Sequence, residues 1–118
     1  MTAPQPPRDF QTALRALRER FLGNMPGTLD RLRALALQLD HGPDAAEAAT
    51  AVRNEAHRIR GTAGSFGFLE ATDVSTAMEH RAERWLTVAD EDVAGRGDVV
   101  RAYVLDLERI LGFSGVAD

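Results

Sequence analysis

The sequence predicts an all-α fold: an antiparallel four-helix bundle with an additional helix at its N-terminus. Apolar residues recur at steps of three and four along most of the 118-residue chain, which is the periodicity of amphipathic helices. No segment shows the apolar–polar alternation that is typical of a β-strand. Hydrophobic residues make up 44% of the chain but aromatic residues only 6%, so we expect an aliphatic core of the kind found in helical bundles.

The N-terminal part of the chain is predicted to contain two helices. Residues 1–8 are rich in proline and are expected to form a disordered segment. The apolar pattern of the first helix begins at Phe10, and Gly23-Asn24 interrupts it. A second helix is expected from there, with Pro26 in its first turn, where proline is tolerated, and with its end at Gly42-Pro43.

Three more helices complete the predicted bundle. They are expected over residues 45–64, 68–86 and 98–111, with Asp44 as the cap of the first of them. The domain would then cover residues 9–112 and leave a tail at 113–118. The residues expected on the buried faces of these three helices are Ala45, Ala48, Ala49, Val52, Ala56, Ile59, Ala63, Leu69, Val74, Ala77, Met78, Ala82, Trp85, Val100, Tyr103, Val104, Leu107, Ile110 and Leu111.

The composition excludes several classes of protein. There is no cysteine, which rules out disulfides, thiol catalysis and cysteine-based zinc sites. A formal net charge of −4 argues against a protein that coats nucleic acid. No apolar run approaches the ~20 residues that span a bilayer, and the N-terminus has no apolar signal core. We therefore expect a cytoplasmic monomer that binds neither nucleic acid nor membranes.

A metal-binding helical bundle is the main alternative hypothesis for such a chain. Those bundles use a glutamate three residues before a histidine on facing helices. The residues three positions before the three histidines are Gln38, Asn54 and Ala77, so the pattern is missing. We predict no metal site.

The most informative stretch of the chain surrounds His57. On a helix, His57, Arg60, Gly61 and Gly64 share one face, away from the apolar stripe. Glycine inside a helix costs about 1 kcal/mol relative to alanine, so two glycines here suggest a backbone kept bare for a large partner. A solvated imidazole is nucleophilic at neutral pH, and Arg60 could accompany a phosphoryl group on the ring. Arg53, one turn earlier, is a possible auxiliary positive charge.

A carboxylate on the following helix is expected to orient the ring. Helices three and four form a hairpin that turns near residues 65–67, where Gly67 is expected to have a positive φ. Glu79 lies about as far beyond that turn as His57 lies before it. We therefore infer a hydrogen bond from His57 Nδ1–H to Glu79, which would leave Nε2 as the outward nucleophile. The neighbouring His80 is predicted to point elsewhere, into solvent.

These residues resemble the histidine-containing phosphotransfer (HPt) domain of bacterial two-component phosphorelays. The pattern of that family is His-x-x-Lys-Gly followed by further glycines, and this chain has His-Arg-Ile-Arg-Gly from His57, then Gly64 and Gly67. The stretch from Ser65 to Phe68, together with Met78-Glu79, is similar to the phosphotransfer domain of chemotaxis histidine kinases. There, a glutamate at this spacing contacts the active histidine. The departure is Arg60, where the family usually has lysine.

The resemblance implies a phosphoryl carrier without kinase activity of its own. His57 would accept a phosphoryl group from a receiver-domain aspartate or a kinase and pass it to a response regulator. Its partners would be the receiver domains of response regulators and hybrid histidine kinases. The receiver would supply Mg²⁺, and this chain would bind no cofactor. Gly61 and Gly64 would then give the receiver access. The alternative is an HPt-like scaffold or inhibitor that docks on a kinase or receiver without carrying phosphate.

Overall fold

Four helices make up the part of the chain that the computed structural model describes, which is residues 6–41, 44–88 and 94–113. They are α1 (Pro6–His41), α2 (Ala45–Ser65), α3 (Leu69–Thr87) and α4 (Arg96–Leu111). No strand occurs within those ranges, so the predicted all-α class is confirmed. None of these helices combines the length and the apolar character that crossing a membrane requires.

The helices surround one aliphatic core. Each helix packs against two others, in the cyclic order α1, α2, α3, α4, and α2 and α3 make the most extensive contact. The buried faces of α2 and α4 agree with prediction over most of their length. The fully buried core side chains include Leu29, Leu32, Ala36, Ala49, Val52, Ala56, Ala63, Ala71, Met78, Ala82, Val100, Val104 and Leu107.

The predicted division of the N-terminal region into two helices is wrong. Residues 6–41 form a single helix of 36 residues that runs through Gly23-Asn24 and through Pro26. The additional N-terminal helix is therefore the first half of α1. Proline inside a helix removes one hydrogen bond and costs about 3 kcal/mol. Burial of Phe21, Met25 and Leu29 around it offsets that cost, at about 1.5–3 kcal/mol for each large apolar side chain.

The N-terminal part of α1 is largely exposed. From Asp9 to Arg20 every residue except Leu14 is exposed, and the side chain of Phe10 is 65% exposed. The molecule is accordingly elongated, with principal extents of 67, 35 and 20 Å. Of the predicted disordered segment, residues 6–8 belong to α1 and residues 1–5 lie outside the described part of the chain. The predicted tail also lies outside it, except for Phe113.

The buried face of α3 differs from the prediction at two positions. Leu69 is 70% exposed because the first residue of α3 faces away from the bundle, and Ala77 is exposed on the outer face of the helix. The core positions around them are filled instead by Ala71 and Ser75, and Glu79 is buried. The buried carboxylate of Glu79 therefore needs a partner within the fold.

The loop that joins α3 to α4 is predicted over residues 87–97, but it ends earlier than predicted. Helix α4 begins at Arg96, not at Asp98, and both Arg96 and Gly97 are buried. The Arg96 guanidinium lies over the Trp85 ring, 5.4 Å from its centroid, which draws the start of α4 onto the bundle. Residues 89–93 of the predicted loop lie outside the described residues.

The turns at the two ends of α2 use the backbone. Asp44 precedes α2, but its side chain makes no capping hydrogen bond, contrary to prediction; its carbonyl oxygen accepts a bond of 3.0 Å from Ala48 N–H. After α2, Gly67 has φ +80°, which confirms the predicted turn glycine. This turn sets the register in which α3 returns along α2.

Candidate functional site

The α2–α3 hairpin brings the candidate residues together. Gly64 lies opposite Thr72: a Cβ at Gly64 would be 3.6 Å from Thr72 Oγ1. Seven residues farther from the turn on both helices, His57 lies opposite Glu79. Seven residues are almost two helical turns, so the two pairs stack along the same seam. The register that the spacing of the sequence predicts is therefore the register of the structure.

The imidazole of His57 contacts the Glu79 carboxylate directly. His57 Nδ1 is 2.9 Å from Glu79 Oε2. The two side chains differ sharply in exposure, with 62% of the His57 side chain accessible but only 9% of Glu79. A buried carboxylate thus holds an exposed ring at one of its two nitrogens.

Arg60 closes the group of three. Its Nη2 lies 3.1 Å from His57 Nδ1, and its Nε lies 3.3 Å from Glu79 Oε1. Arg60 follows His57 by three residues, so both side chains leave the same face of α2. The guanidinium therefore reaches both the ring and the carboxylate.

The arrangement of donors and acceptors selects one form of the neutral ring. A carboxylate only accepts hydrogen bonds and a guanidinium only donates them. At 2.9 Å, an unprotonated Nδ1 would set its lone pair against the Glu79 carboxylate, so the hydrogen belongs on Nδ1 and is donated to Oε2. The approach of Arg60 to Nδ1 is then a contact between two donors, and the attraction of Arg60 is to Glu79. Nε2 keeps its lone pair.

Burial of the Glu79 carboxylate has an electrostatic cost that its partners offset. A buried charge is tolerated when it is paired and hydrogen-bonded. Oε2 accepts from His57, whereas Oε1 is buried and accepts no hydrogen bond from a described residue, so its partner is the ionic contact with Arg60 Nε. Arg60 thus neutralises the carboxylate that orients the ring.

The two glycines of the motif differ in their surroundings. A Cβ placed on Gly61 would meet nothing within 4 Å. A Cβ on Gly64 would make an ordinary van der Waals contact with Thr72, so this glycine borders the hairpin seam. Both residues are exposed. Of the two glycines, Gly61 therefore leaves the backbone beside the ring more accessible.

The structure does not bring Arg53 into this group. Its Nη2 lies 3.5 Å from Asn54 Oδ1, and within the described part of the chain no hydrogen bond or ion pair joins it to His57 or Glu79. Among the described residues, no cluster of three or more His, Cys, Asp or Glu side chains is placed to hold a metal ion.

Sequence reasoning missed the ion pair between Arg60 and Glu79, and it missed Ser75. Arg60 was assigned only to a phosphoryl group, although the hairpin register that pairs Glu79 with His57 also brings it within reach of a side chain one turn away. Ser75 lies one turn before Glu79; its side chain is completely buried and its hydroxyl has no partner among the described residues. No sequence signal distinguished Ser75 from a solvated serine.

Comparison with known proteins identifies the family. Neither the curated proteins nor the solved structures contain a match to the chain. The family model of the Hpt domain, by contrast, matches residues 16–111, which include α1 from Ala16 onward, all of α2, α3 and α4, and every residue of the site. Helical architecture, hairpin register and family match agree, and the chain belongs to the Hpt domain family.

Proposed function

We propose that this Hpt domain carries a phosphoryl group on Nε2 of His57 within a cytoplasmic phosphorelay. The group would come from the aspartyl phosphate of a receiver domain, or from a kinase, and would leave to the aspartate of a response regulator. The observation that carries the proposal is the exposed ring whose Nδ1 is tied to the buried Glu79. Such a ring presents a fixed nucleophilic nitrogen to a partner protein.

The chemistry follows from the hydrogen on Nδ1. The Nε2 lone pair attacks phosphorus, an N–P bond forms, and the O–P bond to the donor aspartate breaks with the electron pair going to the carboxylate. The ring keeps its Nδ1 hydrogen and becomes positively charged, and the Glu79 carboxylate stabilises that charge at 2.9 Å. Transfer to the acceptor aspartate is the reverse sequence.

The remaining machinery would belong to the partner. Phosphoryl transfer depends on positioning and on neutralising the equatorial oxygens, commonly with Mg²⁺. We propose that the receiver domain supplies the Mg²⁺ and that this chain supplies Arg60 as a nearby positive charge. The open backbone at Gly61 supports a close approach of the partner's active-site loops.

Labelling experiments test the proposal. The purified chain is incubated with a receiver domain carrying ³²P-phosphate and, separately, with phosphoramidate. We expect acid-labile label on the wild type and none on His57→Gln, because among the described residues only the ring of His57 is held by a carboxylate.

The chain provides a matched control for this substitution. His41→Gln changes another exposed histidine, at the end of α1, and should retain full labelling. Label that survives in His57→Gln would exclude His57 as the acceptor. Binding of the receiver without any labelling of the wild type would support the scaffold alternative.

A further inference from the structure

A basic depression lies one helical turn from the phosphorylation site. Its volume is about 710 Å³, and it extends over the outer face of α3 between α2 and α4. Its lining includes three guanidinium groups, from Arg53, Arg81 and Arg84, and the imidazole of His80. Glu83 is the one carboxylate among the described residues that line it. Among the described residues that line the depression, basic side chains therefore outnumber acidic ones, on a chain whose net charge is −4.

Two of these arginines have no acidic partner among the residues that the structure describes. Elsewhere, arginines bridge helices through carboxylates, as Arg31 does to Glu55 and Arg101 to Asp40. Arg53 has only its 3.5 Å contact with Asn54, and neither Arg53 nor Arg81 forms an ion pair with any residue that the structure describes. Their charges are therefore available to a partner.

A protein that reaches His57 also covers part of the depression. Arg53 precedes His57 by one turn, about 6 Å along the axis of α2. Arg81 lines the same depression as Arg53. A protein interface of ordinary size covers about 800 Å² on each partner, which corresponds to a disc of about 16 Å radius. A partner whose aspartate reaches Nε2 thus covers Arg53 and contacts the rim of the depression.

Covering unpaired guanidinium groups is unfavourable unless the partner supplies negative charge. A buried, uncompensated charge is strongly destabilising, whereas complementary charges accelerate encounter and select the partner. The depression is also open to solvent along one side and spans three helices, unlike the enclosed pockets that hold small ligands. The shape of the depression therefore favours contact with the surface of a protein over binding of a small ligand.

We infer that the receiver domain that exchanges a phosphoryl group with His57 places acidic side chains, separate from its phosphorylation site, against Arg53 and Arg81. This inference rests on the proposed function and names the chemistry of the partner's surface. It gives Arg53 a role in docking in place of the auxiliary role at the ring.

Charge reversal tests the inference through binding. The receiver domain that labels His57 is titrated with wild type, Arg53→Glu, Arg81→Glu and the control Arg109→Glu, at 50 mM and at 500 mM NaCl. Arg109 lies on α4 and is exposed, and its one ion pair with a described residue is the local contact with Asp106. We expect each substitution in the depression to raise Kd about tenfold at 50 mM, with the difference shrinking at 500 mM because salt screens exposed charges. Arg109→Glu should bind as the wild type does.

A second measurement keeps the inference separate from the proposed function. ¹⁵N NMR of the full chain is titrated with a ten-residue polyglutamate peptide, and the first amides to shift should be those around Arg53 and Arg81. Shifts elsewhere, wild-type Kd values in both variants, or an equal loss in Arg109→Glu would overturn the inference. If inorganic phosphate or a nucleoside triphosphate shifts these amides more strongly than the peptide, the depression is a small-anion site and the inference also fails. Failure of the proposed function appears instead as an unlabelled His57 in the wild type.

Discussion

At the residue scale, the chemistry of His57 depends on which ring nitrogen carries the hydrogen. Glu79 determines this because it is the acceptor that contacts Nδ1, and Arg60 holds Glu79 in place through its second oxygen. An exposed imidazole without such a partner exchanges between its two neutral forms. Glu79 is therefore a positioning residue that acts through His57.

Removal of Glu79 should release the ring. In Glu79→Ala we expect the Nδ1–H form to lose its dominance and the rate of phosphoryl transfer to fall about 10–100-fold, the usual effect of losing an orienting partner. In Glu79→Gln the side-chain carbonyl still accepts from Nδ1–H, so the tautomer should largely survive. The ¹⁵N shifts of the labelled imidazole report the tautomer, and single-turnover labelling reports the rate.

A second glutamate provides the control for this prediction. Glu55 is on α2, is 13% exposed, and pairs with Arg31 and Arg58 away from the ring. Glu55→Gln should change neither the tautomer nor the rate. An unchanged tautomer in Glu79→Ala would remove Glu79 from the proposed mechanism.

At the element scale, α1 shows what local sequence signals decide and what they leave open. Gly23-Asn24 indicates a helix break and Pro26 indicates the first turn of a new helix, and the prediction of two helices followed from them. The buried side chains of Met25 and Leu29 hold the helix together across that point, and their packing against other helices is not visible in a local pattern. The exposed stretch before Phe21 continues the same helix.

The remaining helices were predictable because periodicity and burial agree there. Helix α2 begins at the predicted residue and ends one residue later than predicted, and its apolar stripe is buried almost as expected. The hairpin spacing also gave the contact between His57 and Glu79 in advance. The same spacing does not predict the ion pair between Arg60 and Glu79. A long side chain can reach several partners, and spacing alone does not determine which of them it contacts.

Two glycine substitutions should have opposite effects on helix stability. Gly23 is inside α1 and has open space around it, so Gly23→Ala should stabilise the chain by about 0.5–1 kcal/mol. Gly67 has φ +80° in the turn, so Gly67→Ala should destabilise it by about 1–2 kcal/mol. Urea unfolding measures both. A destabilising Gly23→Ala would show that α1 is not continuous through residue 23.

At the scale of the whole molecule, the bundle closes where α4 meets α1. The ion pairs Arg33–Glu108 and Arg101–Asp40 join these two helices. Hydrogen bonds to Asp98 and Asp40 raise the pKa of the Arg101 guanidinium above its usual value, as expected for a cation held between two carboxylates. Gly97, the second residue of α4, lies against Ala36 and Asp40 and lets the backbones of α1 and α4 approach closely.

The close approach at Gly97 predicts a large effect of one methyl group. A Cβ there would lie 2.1 Å from Asp40 Oδ1 and 2.6 Å from the Ala36 carbonyl oxygen. Gly97→Ala should therefore push α4 away from α1 and destabilise the chain by about 1–3 kcal/mol, the usual cost of overpacking. Thermal unfolding should show a lower Tm, whereas Gly23→Ala adds the same group in open space and should not lower it. Equal Tm values would contradict this packing of α4.

The exposure of His57 also bears on how long a signal lasts. A ring that a partner can reach is also reached by water, so under the proposed function the stored group is open to hydrolysis until a partner arrives. Proteins meet productively at about 10⁵–10⁷ M⁻¹s⁻¹, so a receiver at about 1 µM arrives about 0.1–10 times per second. The abundance of the partner, rather than a segment that covers the ring, would then determine how long the phosphorylated state lasts.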